Sequence, residues 1–250
     1  MTDSEKEKYQ LYANLPVYRK RVNEAMNSIK KAYEQTNRWV VCYSGGKDST
    51  VLLDLCAKYG NVKDMLFGKY RETPKENIEM AKKMAKKYDI RLHIIDLPGA
   101  FDVYEKVGYF FVEPKTDDEK KWTNWMLNEY KKVMNEYIEG RWKGQFLGLR
   151  MKESKTRMFA LSKKKDLYRT KDRSVWTCTP LYRWDGNDIW AYIIKNNLPY
   201  LKIYDNPMQD RERTRSEPTF LASEAIWRHG HGEFIKKYYP DIWLQIKQMM

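Results

Sequence analysis

Five segments between residues 38 and 97 alternate strand-like and helix-like patterns, and this restricts the fold more than any other feature of the 250 residues. The run RWVVCY (38–43) is β-branched and aromatic and reads as a buried strand. DSTVLLDLCAKYG, from Asp48, reads as a helix that stops at Gly60. VKDMLFGKY (62–70) is a second strand and RLHIIDL (91–97) a third. Between them TPKENIEMAKKMAKKYD is a helix with Thr73 as its cap, Pro74 in its first turn and Ile78, Ala81, Met84, Ala85 and Tyr88 on one face. This order predicts an α/β fold: a parallel twisted sheet with helices on both faces, and any ligand at the carboxyl ends of the strands.

The flanks extend that frame. Residues 15–34 place Val22, Ala25, Met26, Ile29, Ala32 and Tyr33 at helical spacing. Residues 117–139 place Trp122, Trp125, Met126, Val133, Met134, Tyr137 and Ile138 on one stripe, read as core. GQFLGLR (144–150) returns to a strand, and residues 166–184 form a hairpin. DGNDIWAYIIKNN (185–197) is a helix that Asp185 can cap, with Ile189, Trp190 and Ile193 packed inward. From Asn206 the chain shows turn chemistry and the alternating charges of DRERTRSE, a solvated loop or an anion-binding flap. Helices follow around 222–227 and 232–248. The division is an N-terminal helical segment (1–37), a central domain (38–205) and a C-terminal helical extension (206–250).

The turn after the first strand reads SGGKDS (44–49). Two glycines permit positive φ and close approach of a ligand to the main chain. Helix-terminal amides and the helix dipole make such a turn an anion site. Lys47 adds charge, and Ser44, Ser49 and Thr50 add hydroxyls. Asp48 either caps the helix or holds a magnesium ion brought by a nucleotide. The sequence matches neither G-x-x-x-x-G-K-[ST] nor G-x-G-x-x-G, which disfavours GTPase-type and dinucleotide readings.

SGGKDS resembles the PP-loop of the adenine nucleotide α-hydrolase-like superfamily, which includes ATP pyrophosphatases and sulfonucleotide (PAPS and APS) reductases. GLRMKESKTR (148–157) resembles that group's G-x-R-x-x-E-S-x-x-R element, and the run from PLYRW to KIYD (180–205) its P-L-x-x-W element. RETPKE (71–76) lies where the family carries an E-T segment. The resemblance implies a Rossmann-like fold of that superfamily. It also implies that Ser44, Gly45, Gly46, Lys47, Asp48 and Ser49 bind the phosphate end of ATP or PAPS, with Mg²⁺ accompanying the nucleotide. Gly148 and Arg150 lie on the opposite wall, with Glu153, Ser154 and Arg157 completing the element. Lys47, Asp48 and Arg150 are the expected catalytic residues. Lys47→Ala and Arg150→Ala are each expected to weaken nucleotide binding or turnover with folding intact.

The sequence departs from the reductases at its cysteines. The E-C-G-[IL]-H element is missing, and no cysteine follows Cys178. Cys42 falls in a buried strand and Cys56 in a helix, leaving Cys178 as the conceivable nucleophile of a reductase. No Cys-x-x-Cys pair supports an iron–sulfur cluster, and His229 and His231 lack further ligands, so no metal site is expected in the protein itself. Adenylylation, in which pyrophosphate leaves ATP, needs no thiol. Three readings stand: a PP-loop adenylylating enzyme, a PAPS-reductase-like enzyme, and a nucleotide- or nucleic-acid-binding module without turnover. The net charge of +13 fits solvated lysine faces, such as Lys82, Lys83, Lys86 and Lys87, or a surface for nucleic acid or a partner protein. The charged start and the lack of an apolar run of about 20 residues point to a cytoplasmic protein without a membrane span.

Overall fold

The structure, a computed structural model, describes residues 1–108, 116–169, 175–206, 210–212, 214, 216 and 231–249. Its strands are β1 (Trp39–Tyr43), β2 (Asp64–Lys69), β3 (Arg91–Asp96), β4 (Gly144–Phe146), β5 (Leu167–Arg169) and β6 (Trp176–Cys178). They form one sheet in the order β3-β2-β1-β4-β6-β5. Four pairings are parallel. The hairpin supplies the fifth, an antiparallel edge with Leu167 opposite Cys178 and Arg169 opposite Trp176; its tip lies outside the described residues. The expected parallel sheet is therefore mixed at one edge.

The helices include α1 (Asp3–Tyr12), α2 (Pro16–Gln35), α3 (Lys47–Tyr59), α4 (Lys75–Tyr88), α5 (Ala100–Val107), α6 (Thr116–Ile138), α7 (Lys155–Lys164) and α8 (Gly186–Lys195). Alternation along β1 assigns them to faces. Trp39, Val41 and Tyr43 join the core shared with α2, α3 and α8. Val40 points the other way, with Leu66, Met134 and Ile138, so the carboxyl half of α6 covers the second face. The amino half of α6 packs Trp122, Trp125 and Met126 beside Phe101, Phe234 and Ile242. The expected stripe thus serves two separate cores.

A buried carboxylate fixes α3. Asp54 accepts hydrogen bonds from Tyr192 Oη of α8 at 2.6 Å and from Tyr88 Oη of α4, and pairs with Lys58 Nζ at 2.8 Å. Such a satisfied network in a low-dielectric interior favours one arrangement, and it pins the middle of α3 against α4 and α8. The chain runs outward through β2 and β3, then returns to β4 on the other side of β1. Strand order reverses between β1 and β4, and a crevice opens there at the strands' carboxyl ends.

Two local expectations need correction. Thr73 does not cap α4; Pro74 holds the N-cap position, and Thr73 Oγ1 instead accepts from Tyr70 N–H at 2.9 Å to close the turn after β2. The final helix is two helices, His231–Tyr238 and Pro240–Met249, because proline lacks the amide that a continuous helix needs. The helix expected around 222–227, together with Arg213, Arg215 and His229, lies outside the described residues. Among the described residues no helix is long and apolar enough to cross a membrane.

Candidate functional site

The turn from β1 to α3 sits at the point of strand reversal. Gly45 has φ +79°, a conformation L side chains resist, and a Cβ there would stand 3.3 Å from that of Asn77. Ser44 and Ser49 hydroxyls lie 3.3 Å apart, Gly46 N–H donates to Ser44 Oγ at 3.4 Å, and Ser49 Oγ donates to Gly46 O at 2.9 Å. Because α3 begins at Lys47, its first-turn amides and positive dipole end face this hydroxyl-rich turn.

Two cations are buried beside it. The Lys47 side chain is 1% exposed and that of Arg150 0%. Lys47 Nζ lies 3.2 Å from Asp48 Oδ2, 3.8 Å from Glu212 Oε2 and 5.4 Å from the Tyr204 ring centroid. Arg150 Nε lies 2.6 Å from Asp48 Oδ1, and Arg150 Nη2 contacts Glu212 Oε1. Asp48 therefore bridges the two cations rather than capping the helix. Burial opposes the Arg150 charge, but Asp48, Glu212 and Glu153 outweigh it and hold the group above its ordinary value. Buried charges persist only when compensated in this way.

The opposite wall follows β4. A Cβ on Gly148 would come within 3.3 Å of the Asp48 carbonyl carbon, so glycine lets this segment lie against the first turn of α3. Glu153 accepts from Arg150 N–H at 3.2 Å and pairs with Arg157. Ser44, Gly46, Lys47, Asp48, Ser49, Gly148, Glu153 and Arg157 line one cavity of about 340 Å³. Three expected residues stand apart from its lining. Gly45 backs onto Asn77, Arg150 is sealed among carboxylates, and exposed Ser154 caps α7 by accepting from Arg157 N–H at 3.1 Å. Away from the turn the cavity continues over Leu66, Gly68, Leu97, Tyr130 and Met134, an apolar end beyond a polar one.

Further residues complete the walls without having been singled out by sequence. Tyr204 Oη accepts from Lys47 N–H at 3.2 Å, and buried Asn77 donates to Ser216 O at 2.8 Å. Thr214 and Ser216 join the lining. The described start of the charged run, 210–212, is thus not a free loop: Arg211 donates to Tyr204 O at 2.8 Å, pairs with Glu5 of α1 at 2.7 Å and lies over Trp190. That anchoring places Glu212 between the site's two cations. The sequence signal was present, a glutamate flanked by arginines, but the same pattern describes a solvated loop.

The thiols are distributed differently from expectation. Cys56 and Cys178 are fully buried, and burial pushes both well above the usual thiol range. Cys178 Sγ is directed to Ser28 O at 3.6 Å. Cys42 is half-buried rather than buried and lines the cavity, because the α6 side of β1 opens there.

Residues 38–210 match the phosphoadenosine phosphosulfate reductase domain. The chain is 28% identical over 225 residues to an uncharacterised protein of Methanocaldococcus jannaschii, covering 88% of this chain and 50% of that one. It is 27% identical over 182 residues to the adenosine 5'-phosphosulfate reductase of Lysinibacillus sphaericus, covering 72% and 74%. The chain spans about half the length of the archaeal relatives it matches, 50% and 43%. Among solved structures it superposes on the phosphoadenylyl-sulfate reductase of Candida auris in phosphate complex, with TM-score 0.54, 15% identity and coverage of 82% and 92%. It also superposes on the FMN adenylyltransferase of Candida glabrata with FAD and inorganic pyrophosphate, with TM-score 0.51, 15% identity and coverage of 80% and 66%. These two likenesses are of fold. The family match takes in the glycine turn, the β4 wall and Tyr204, and the chain belongs to the phosphoadenosine phosphosulfate reductase domain family, within the PP-loop superfamily of adenine-nucleotide-binding proteins.

Proposed function

We propose that this chain binds ATP with its phosphates at residues 44–49 and transfers the adenylyl group to an acceptor, releasing pyrophosphate. The observation that carries this reading is the burial of Cys178, the thiol a reductase reading would need. A thiol that takes up sulfite must then reach an external reductant, which requires a mobile, accessible position. Cys42 faces the cavity, but from the middle of the sheet in β1, where it can touch a ligand without leaving the site.

In the proposed reaction an acceptor oxygen attacks the α-phosphorus of ATP. The bond from that phosphorus to the bridging oxygen breaks, and its electron pair leaves with pyrophosphate. Lys47 and the α3 amides stabilise the charge that develops, while buried Arg150 holds Asp48 and Glu212 in place behind them, so the chain supplies position and electrostatics. The apolar end of the cavity, at Leu66, Leu97 and Met134, accommodates the adenosine. Both Asp48 carboxylate oxygens are engaged by Lys47 and Arg150, so Mg²⁺ arriving with the nucleotide would be held chiefly by the phosphates, whose charge it would neutralise.

The test is pyrophosphate release from labelled ATP with sulfate or oligonucleotide as acceptor, read together with alkylation of Cys42. ATP is expected to protect Cys42 and to yield pyrophosphate. Thioredoxin-dependent sulfite formation from PAPS, lost in Cys42→Ser or Cys178→Ser, would replace this reading with the reductase one. Unprotected Cys42 at saturating ATP and PAPS would remove the nucleotide from the cavity.

Glu212 gives this reading an internal check. Its carboxylate lies against Arg150 and near Lys47, where an incoming phosphate competes for Lys47. Glu212→Gln keeps an acceptor but removes that competing charge. ATP affinity, read from half-protection of Cys42, is expected to rise about tenfold, equivalent to about 1.4 kcal/mol. Weaker binding would instead make Glu212 part of the ligand's own support.

A further inference from the structure

Beside the cavity, α7 and β5 carry a surface that nucleotide chemistry does not use. Residues 155–169 contain six lysines and arginines and one acid, Asp166. Asp166 is engaged by Ser28 of α2, and neighbouring Glu153 is turned inward onto Arg150 and Arg157. Lys155, Lys163, Lys164 and Lys165 are exposed and have no carboxylate at ion-pair distance among the described residues. Charge here is therefore not cancelled locally, as it is for Lys152, which pairs with Asp185 at 2.9 Å.

Aromatic rings are interleaved with these cations. On α7, Lys155, Met158, Phe159 and Lys163 share one face by helical spacing. Met158 is 53% exposed and Phe159 65%, an apolar patch in the middle of positive charge. Lys163 Nζ stands 4.2 Å from the Phe159 ring centroid, and Lys164 Nζ 5.0 Å from that of Tyr168 on β5. Arg157, one position before Met158 on the same helix, is 43% exposed at its side chain and lines the cavity. The surface thus runs up to the mouth of the site.

We propose that the α7–β5 face docks a single strand of nucleic acid. Uncompensated lysines can follow a phosphate backbone, and an exposed ring flanked by ammonium groups offers a platform on which an unpaired base stacks. An acidic protein segment would use the charge but has no base to place on Phe159. The lysine-rich face of α4 makes an informative contrast. Lys82, Lys83, Lys86 and Lys87 share that helix with Glu76 and Glu79, and its aromatic, Tyr88, has its hydroxyl tied to Asp54.

The experiment is fluorescence anisotropy of the full chain with a labelled mixed-sequence single strand of about 20 nucleotides, titrated across KCl concentrations. Lys163→Glu/Lys164→Glu is expected to weaken binding at least tenfold and to flatten the logarithmic salt slope by about 1.4, at about 0.7 for each phosphate that is no longer neutralised. Phe159→Ala is expected to weaken binding about fivefold or more with the salt slope unchanged, which charge alone cannot produce. Lys82→Glu/Lys86→Glu, the same charge change on α4, is expected to have a much smaller effect. The proposal is overturned if the two double variants behave alike, if Phe159→Ala binds normally, or if polyglutamate competes as well as unlabelled strand. Tighter binding of a duplex of equal length also overturns it. All substituted side chains are exposed, and each readout is independent of adenylyl transfer.

Discussion

Arg150→Ala is expected to reduce turnover at least a hundredfold and to destabilise the fold, whereas Lys47→Met reduces turnover comparably with a much smaller loss of stability. The difference follows from what each cation compensates. Arg150 has no exposure and lies among the carboxylates of Asp48, Glu153 and Glu212. Removing one partner of a buried ion cluster leaves charge uncompensated, at a cost of about 3–5 kcal/mol. Lys47 contacts Asp48 and Glu212 too, but Arg150 remains to neutralise both when Lys47 is replaced, and methionine fills much of the vacated volume. Removing a fixed group that stabilises transition-state charge typically costs about 2.7–4 kcal/mol. Urea unfolding of both variants, with pyrophosphate release measured per folded molecule, separates the two effects. The charge cluster thus argues against the sequence expectation for Arg150→Ala, that folding stays intact. Wild-type stability in Arg150→Ala would contradict the charge cluster described above. Arg150→Lys is expected to rescue little, since an ammonium lacks the planar fork that meets two carboxylates at once.

The legible parts of this protein are those whose chemistry is local. The β1 turn could be read because an apolar strand, two glycines and a helix onset occupy a few consecutive residues, and those same residues form the turn. The Asp185 cap was legible for the same reason; its side chain accepts from Asn187 and Asp188 N–H. Glu212, Tyr204 and Asn77 were not, because their positions depend on long-range closure. Tyr204 meets Lys47 across 157 residues, and Asn77 meets Ser216 across 139. Nothing in DRERTRSE shows that its Arg211 is pinned by Glu5 and Trp190 rather than solvated, since both partners lie outside the run and Glu5 lies near the other end of the chain. Cys42 illustrates a subtler limit. The sequence places it in a buried strand, but whether the face it occupies is packed or hollow depends on where α6 lies.

Glu72→Gln is expected to remove a decline in stability that the wild type shows between about pH 4.5 and pH 7, leaving the variant more stable by about 3 kcal/mol at pH 8. Glu72 is 1% exposed, in the turn between β2 and α4, and packs against Gly99 at the start of α5. Its Oε1 accepts from Ala100 N–H at 2.7 Å, while Oε2 has no hydrogen-bond partner among the described residues. Burial is the main cause that pushes this carboxyl from 4.5 to about 7; Asp102 adds to it, and the Ala100 hydrogen bond and Arg71 oppose it. The sign follows from proton counts. Between the unfolded and folded values the native state holds a proton that the unfolded state has lost, so raising pH favours unfolding through that window. Each unit of separation is worth about 1.36 kcal/mol, which gives the stated total. Glutamine is neutral at every pH and retains a carbonyl for Ala100, so the two stability curves should meet near pH 4.5 and diverge above it. Urea unfolding at closely spaced pH values measures the difference directly, since all other titrating groups are common to both proteins. Parallel curves would mean that Glu72 is ionised in the native state, and the α5 amino end would then have to hold a buried carboxylate rather than a carboxylic acid.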